Sequence, residues 1–134
     1  MTSNAKGIIA CRNWQELSVD TVDGAAKITR ITAENFYSGD LEGQSKLEYI
    51  MYYADAATGR FVALEHVTGR FGVKSGQFLL QHIGTFAQGV SETALTVLPG
   101  SASGDLSGLT ATGKSIWNKL SGHTSFYVFE YTLG

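Results

Sequence analysis

The 134-residue chain is poor in cysteine, proline and charge, and these shortages exclude several classes of protein. Its one cysteine, Cys11, excludes an internal disulfide framework and a cysteine-rich zinc site. Charged residues make up only 16% of the chain, and the net charge of −2 removes the basic surface that a nucleic-acid-binding protein needs. No apolar run approaches the roughly 18 residues of a membrane-spanning helix. The polar start, Met1 to Ala5, lacks the pattern of a signal peptide, so we expect a cytoplasmic protein.

The residues that are abundant favour β structure in a single domain. The chain has 16 glycines against one proline, Pro99, and it is rich in serine, threonine and aromatic residues. A length of 134 residues is that of one domain, and it suffices for a hydrophobic core without metal or disulfide support. We therefore predict one domain spanning residues 1–134, with an ordered core from about residue 6 to 133.

Turn signals divide the chain into strand-like segments. Asp23-Gly24 is a clear example, because this pair adopts positive φ at little cost. The segments comprise residues 6–19, 26–37, 44–54, 60–71, 77–88, 90–98 and 123–133, with a less regular stretch at 106–120. Only residues 114–120 offer a helix candidate, of about two turns. Long strands joined by short turns, closed so that no edge is exposed, predict an all-β, eight-stranded antiparallel barrel with at most one or two short helices.

Residues Gly108 to Ser115 match the phosphate-binding loop pattern G-x-x-x-x-G-K-S, but their surroundings do not. In such a loop a lysine, here Lys114, reaches the terminal phosphate, and the amides of a following helix hold the others. No buried apolar strand precedes Gly108, and too few residues separate Ser115 from Gly122 for that helix. We predict a glycine-rich bent strand and no nucleoside triphosphatase activity.

The segments 60–71 and 77–88 form a predicted hairpin that places two titratable side chains on one face. With an even loop centred on Lys74-Ser75, odd positions of the first strand share a face with even positions of the second. Glu65 and His82 then lie on one face as diagonal neighbours, within reach of each other. We place that face inside the barrel because it also carries three phenylalanines, Phe61, Phe78 and Phe86.

A carboxylate beside an imidazole in an apolar interior suits two roles. Glu65 and His82 are candidate catalytic residues as an acid–base pair, or they form a buried polar pair that only closes the barrel. Candidate ligand-binding residues are aromatic, and they are equally typical of a core: Tyr49, Phe61, Phe78, Phe86 and Tyr127. The histidines show no metal-ligand spacing, so we expect no metal and no cofactor. Cys11 is expected to be a buried, unreactive thiol.

Six short motifs, in order, resemble one bacterial family of uncharacterised proteins, DUF3224. They are G-D-L-x-G-x-S at 39–45, L-E-x-x-x-G-x-x-G at 64–72, S-G-x-F-x-L-x-H-x-G at 75–84, V-x-P-G-S at 97–101, G-D-L-x-G-L at 104–109 and F-Y-x-F-E-Y at 126–131. The resemblance covers nearly the whole chain. It implies a closed eight-stranded barrel similar to that of allene oxide cyclase, and it implies no function, because a shared barrel does not transfer chemistry.

Three functions fit these observations. The first is binding of a small apolar ligand inside the barrel, with Glu65 and His82 as polar contacts. The second is a cofactor-independent cyclase or isomerase acting on a small apolar substrate. The third is a filled barrel that serves oligomerisation or protein interaction, and the apolar residues Phe126 and Val128 on the outside of the last strand favour a homo-oligomer. An interior cavity of a few hundred Å³ would favour the first two functions.

Overall fold

A computed structural model of the chain describes residues 2–133 as nine strands and one 3-10 turn. The strands are β1 (Ser3–Asp23), β2 (Ala26–Gly39), β3 (Leu41–Tyr53), β4 (Thr58–Phe71), β5 (Lys74–Ala87), β6 (Val90–Val97), β7 (Ser103–Gly104), β8 (Thr110–Asn118) and β9 (Thr124–Thr132), and the 3-10 turn is Lys119–Ser121. No helix among the described residues is long and apolar enough to cross a membrane.

Eight of these strands close into one antiparallel barrel. Each of β1 to β5 pairs with the strand that follows it, β6 pairs with β8, β8 with β9, and β9 with β1. The two-residue β7 adds to the start of β5. The predicted all-β, eight-stranded closed barrel is confirmed, because every barrel strand has hydrogen-bonded neighbours on both sides.

The helix candidate at residues 114–120 is a strand for most of its length. β8 runs to Asn118, whose side chain accepts hydrogen bonds from the backbone amides of Leu120 and Ser121 and so starts a single 3-10 turn. Pairing of β8 with β6 on one side and β9 on the other overrides the weak local helix preference. Residues 2–133 contain no α-helix.

Alternate side chains of the barrel strands fill its interior, and one end is sealed. The chain between β6 and β8 crosses that end, where Leu106 and Leu109 are buried in the main core cluster with Phe71 and Phe78. β7 fixes this crossing, because it pairs with β5 beside the β4–β5 turn. We call this the closed end, and we call the opposite end, which carries the β3–β4, β5–β6 and β8–β9 connections, the open end.

At the open end, β1 continues past β9 as an arm, residues 11–23, while β2 stays paired with β3 as far as Lys27 and Tyr53. β1 pairs with β9 only as far as Ala10, whereas its pairing with β2 continues to Asp23. Asn13 adopts a left-handed φ of 58° where the register between β1 and β2 shifts. This bulge re-aims the following side chains, and it turns Trp14 back over the barrel against Tyr49, at 5.7 Å between ring centroids.

The β4–β5 hairpin turns at Gly72-Val73, two residues earlier than predicted. Its register therefore pairs Glu65 with Leu80 and Ala63 with His82. The turn contains two residues, so the faces are those that the alternation predicted. Glu65 and His82 remain diagonal neighbours on the inner face, although with the register shifted by four residues.

Candidate functional site

A buried carboxylate, that of Glu65, is the centre of a polar network inside the barrel. Four side chains donate hydrogen bonds to it: Asn35 Nδ2 at 3.0 Å, the Tyr37 hydroxyl at 2.8 Å, the Ser45 hydroxyl, and His82 Nε2 at 2.6 Å. Both carboxylate oxygens are used, and the Glu65 side chain is wholly excluded from solvent. The network replaces the water that a charged group loses on burial.

Four neighbouring strands supply this network, because each contributes inward-facing positions at the same height. Asn35 on β2 is directly opposite Ser45 on β3, and Ser45 is a diagonal neighbour of Glu65 on β4. Tyr37 follows Asn35 by two positions and faces the same way. His82 on β5 closes the set from the other side.

The Glu65 carboxyl is held in its ionised form. Burial raises its pKa, but the hydrogen bond and charge interaction with His82, followed by the hydrogen bonds of Ser45 and Tyr37, outweigh burial and hold the pKa below the usual 4.5. An ionised carboxylate can only accept hydrogen bonds, so His82 Nε2 carries a proton and donates it.

The charge of Glu65 also acts on neighbouring acids. Burial raises the pKa of the Cys11 thiol to about 11, and the Glu65 carboxylate contributes to that rise. Burial and then the same carboxylate raise the pKa of the Tyr37 and Tyr49 hydroxyls. Cys11 is therefore a protonated thiol at neutral pH, but it is half-buried and not buried as the sequence predicted.

Two polar atoms of this region remain available. Every buried side-chain nitrogen or oxygen among residues 2–133 has a hydrogen-bond partner. His82 Nδ1 and the Tyr49 hydroxyl make no hydrogen bond within that part of the chain, so neither atom is completely buried, and the His82 residue as a whole is 3% exposed. The rings of Tyr49 and His82 meet edge to face, with centroids 6.0 Å apart, which brings the two side chains together.

Inward-facing side chains are only half-buried at the open end. Six of them form the walls of an open mouth: Cys11, Phe86, Ser91, Ser115, Trp117 and Ser125. Phe61 forms part of its floor, because its ring lies against Gly84, where an added Cβ would be 2.2 Å from Phe61 Cζ. Trp14, 47% exposed, overhangs one side from the arm.

The arm is tied to the barrel by a second carboxylate. Glu16 accepts hydrogen bonds from the Tyr53 hydroxyl at 2.7 Å, from Thr29 at 2.7 Å and from the Trp14 indole at 3.3 Å. These contacts join β1 to β2 and β3 beyond the point where β9 ends. They position Trp14 above Tyr49 and the mouth.

The structure separates the residues that the sequence proposed for a site. Glu65 and His82 are inside and in contact, Tyr49 packs on His82, and Phe61 and Phe86 lie toward the open end. Phe78 and Tyr127 lie in the sealed core, where the Tyr127 hydroxyl bonds to the backbone carbonyls of Ser38 and Leu41. Catalytic and ligand-binding roles for all seven residues stay predictions.

The phosphate-loop pattern and the histidines do not form a nucleotide or metal site among residues 2–133. Lys114 and Ser115 of the phosphate-loop pattern lie on the antiparallel strand β8, and Lys114 is exposed, so the strand–loop–helix arrangement of a nucleotide site is not formed. Within residues 2–133, no three histidine, cysteine, aspartate or glutamate side chains are grouped as metal ligands. Two concavities, of about 650 and 450 Å³, are lined mainly by outward-facing residues, so neither is the interior cavity that would favour ligand binding or catalysis.

Sequence reasoning missed three members of the Glu65 network, Asn35, Tyr37 and Ser45. A signal existed, because Asn35 and Tyr37 share the alternation of the buried residues Ile31 and Ala33 along β2. Polar residues at buried positions of a strand predict a partner inside. Ser45 carries the same signal, because it shares the alternation of the buried residues Leu47 and Met51 along β3, although its contact with Glu65 depends on the β3–β4 register.

Comparison with known proteins decides the family. The model of the family described as "Protein of unknown function (DUF3224)" matches residues 5–131. The chain belongs to the DUF3224 family. The resemblance seen in the sequence is thus confirmed over nearly its whole length.

A solved DUF3224 structure has the same fold. It is the crystal structure of a protein with unknown function from Shewanella oneidensis MR-1, similar to this chain with a TM-score of 0.85 and 25% sequence identity. The match covers 100% of this chain and 98% of that one. No curated protein matches the chain. The comparisons therefore give the family and the barrel, and the chemistry must be argued from the site.

Proposed function

We propose that this DUF3224 protein binds a small, largely apolar molecule at the open end of its barrel. One observation carries the proposal: inward-facing side chains are half-exposed at the open end, whereas the closed end is sealed by Leu106 and Leu109. A barrel that served only as a filled core has no reason to treat its two ends differently.

The composition of the mouth indicates the class of ligand. Phe61, Phe86, Trp14 and Trp117 present aromatic surface, and the polar groups among them are hydroxyls and a thiol. Neutral aromatic walls with a few hydroxyls are typical of sites for small apolar molecules with one or two polar atoms. The two nearby carboxylates already accept hydrogen bonds from the protein: Glu65 is sealed beneath the floor, and Glu16 on the arm is held by Trp14, Thr29 and Tyr53.

Binding can be measured with N-phenyl-1-naphthylamine, a neutral apolar dye that accepts excitation energy from nearby tryptophans. The chain has two tryptophans, Trp14 and Trp117, and both lie at the mouth. We expect saturable energy transfer that Ser115→Phe, which fills the mouth, weakens at least about tenfold, or ~1.4 kcal/mol. Lys114→Phe is the matched control, because it adds the same side chain to the outer face of the same strand. Equal effects of the two changes, or no saturable transfer, would refute the proposal.

The outer face supports a second candidate function, self-association. Apolar side chains of neighbouring strands are exposed along one band, which includes Ile50, Val62, Ile83, Ile116 and Phe126. Glu92 lies beside Arg60 and Lys114 in the concavity of about 650 Å³ on this face. Because one face carries both signs of charge, a second copy of the chain fits it better than a partner of one charge.

Light scattering after size-exclusion chromatography tests self-association. Phe126, 62% exposed, belongs to the band, and Val73, 93% exposed, lies at the β4–β5 turn. We expect an oligomer that Phe126→Ser dissociates and that Val73→Ser leaves intact. A monomeric wild-type protein at all concentrations would exclude this second function and leave ligand binding untouched.

A further inference from the structure

We propose that Glu65 and His82 form a proton-transfer dyad in which His82 Nδ1 is the base, acting on a small carbonyl compound bound at the open end. The inference rests on the proposed binding site and adds a reaction to it. The reaction class is proton abstraction next to a carbonyl group, followed by return of the proton, which amounts to an isomerisation.

The hydrogen bond to Glu65 determines which nitrogen of His82 is the base. Nε2 donates to the ionised Glu65 carboxylate, so in the neutral imidazole the lone pair lies on Nδ1. Nδ1 has no partner among residues 2–133 and is not sealed from solvent-accessible space. A general base has this arrangement: one ring nitrogen is held by a hydrogen bond, and the other has no partner and can accept a proton.

Glu65 itself is not the base, contrary to one role considered from the sequence. Its two oxygens already accept hydrogen bonds from four side chains, and no solvent reaches it. Glu65 is a positioning residue: it fixes the tautomer and orientation of His82 and stabilises the imidazolium that forms when Nδ1 takes a proton. Asn35, Tyr37 and Ser45 in turn fix the carboxylate.

Tyr49 supplies the complementary donor. Its hydroxyl has no partner among residues 2–133, and its ring packs between Trp14 and His82, with centroid distances of 5.7 and 6.0 Å. Burial and the charge of Glu65 raise the pKa of the hydroxyl, so it stays a donor at neutral pH. A donor beside a base can bind a carbonyl oxygen while the base reaches the adjacent carbon.

The step balances without any further reactant. The C–H bond next to the carbonyl breaks and its proton joins His82 Nδ1, while the electron pair forms an enolate whose oxygen accepts a hydrogen bond from Tyr49. The imidazolium then returns the proton to the same carbon or, in a β,γ-unsaturated compound, to the γ carbon. The second outcome moves the double bond into conjugation, and no oxidant or reductant is consumed.

The test uses the intact protein and 3-cyclohexen-1-one, whose conversion to the conjugated isomer raises ultraviolet absorbance. We expect catalysis above the buffer rate that His82→Gln lowers at least about a hundredfold, the usual share of a general base. His66→Gln is the matched control, because His66 lies on the outer face of the same hairpin, and it should leave the rate unchanged. Tyr49→Phe should lower the rate about a hundredfold, as loss of an oxyanion donor does.

Dye binding and the separate effects on kcat and KM distinguish the outcomes. His82→Gln and Tyr49→Phe should still bind N-phenyl-1-naphthylamine, which shows that each folds with an intact mouth. Besides His82, the titratable groups facing this space are Cys11 of β1, Tyr37 of β2, Tyr49 of β3 and Glu65 of β4. Glu65→Gln should lower kcat and leave KM nearly unchanged, because the amide no longer holds the His82 ring in place for proton transfer.

If the wild-type protein binds the dye but does not isomerise the ketone, the dyad is overturned and the proposed binding site stands. Absence of both would overturn the proposed function as well. Isomerisation that survives His82→Gln would show that another group is the base, and it would also overturn the dyad.

Discussion

Glu65 carries its charge in the middle of an apolar barrel, where it has lost all contact with water. A buried charge is tolerated only when hydrogen bonds replace its solvation, and here four donors do so. All four donors lose this acceptor if the carboxylate is removed. The network should therefore behave as one unit, in which each member depends on the carboxylate.

We expect Glu65→Gln to lower the free energy of unfolding by about 1–3 kcal/mol, because the amide leaves buried donors unsatisfied. Chemical denaturation measures the loss. The double change with His82→Gln should cost less than the sum of the single changes, since the two residues share one interaction. Glu48→Gln is the control: Glu48 pairs with Arg30 on the solvent-exposed outside, so its loss should cost at most about 1 kcal/mol. Strict additivity of the Glu65 and His82 changes would contradict the network.

Stability should also fall on acidification in a way that depends on Glu65. Its pKa is lower in the folded barrel than the usual 4.5, so its contribution is complete above pH 4.5 and is lost as the pH falls through the folded value. Denaturation midpoints between pH 7 and pH 3 should drop for the wild-type protein. The drop should be smaller in Glu65→Gln, and an identical drop would show that other carboxyls are responsible.

At the scale of the element, the β4–β5 hairpin and the arm of β1 differ in how far the sequence predicts them. The alternation of side chains alone determines which residues face inward on the hairpin, and moving the turn by two residues leaves that alternation unchanged. Glu65 and His82 were therefore placed correctly, although the turn was not. The arm depends on the bulge at Asn13, a residue with no glycine or proline beside it to reveal one. Trp14 and Glu16 were consequently not recognised as contacts of the mouth.

Glu16 should hold the arm on the barrel. Replacing Glu16 by alanine removes its hydrogen bonds to Tyr53, Thr29 and Trp14, so amides of β1 beyond Ala10 should exchange faster. Hydrogen–deuterium exchange read by mass spectrometry measures this, with β4 and β5 as the unaffected reference. Asp20→Ala, an exposed acidic residue on the same strand, provides the control and should leave exchange unchanged. Equal exchange in both variants would show that backbone pairing alone holds the arm.

At the scale of the whole molecule, closure of the barrel was predictable and its asymmetry was not. Eight long strands with short turns leave few alternatives to a closed antiparallel barrel. The seal at one end is made by Leu106 and Leu109, in a stretch with no clear alternation, whose position depends on pairing of β7 with β5. That seal determines which end of the barrel is open, and it therefore also determines where the proposed binding site lies.

The protonation of the His82 ring is the most direct measure of this account. Nitrogen-15 NMR of the histidine side chains distinguishes a protonated ring nitrogen from a bare one, and His82→Gln assigns the signals. We predict a proton on Nε2, held by Glu65, so that Nδ1 is the bare nitrogen whenever the ring is neutral. Glu65→Gln should disturb that pattern, whereas Glu48→Gln should leave it unchanged. A proton found on Nδ1 with a bare Nε2 would contradict the ionised carboxylate, the network built on it and the dyad.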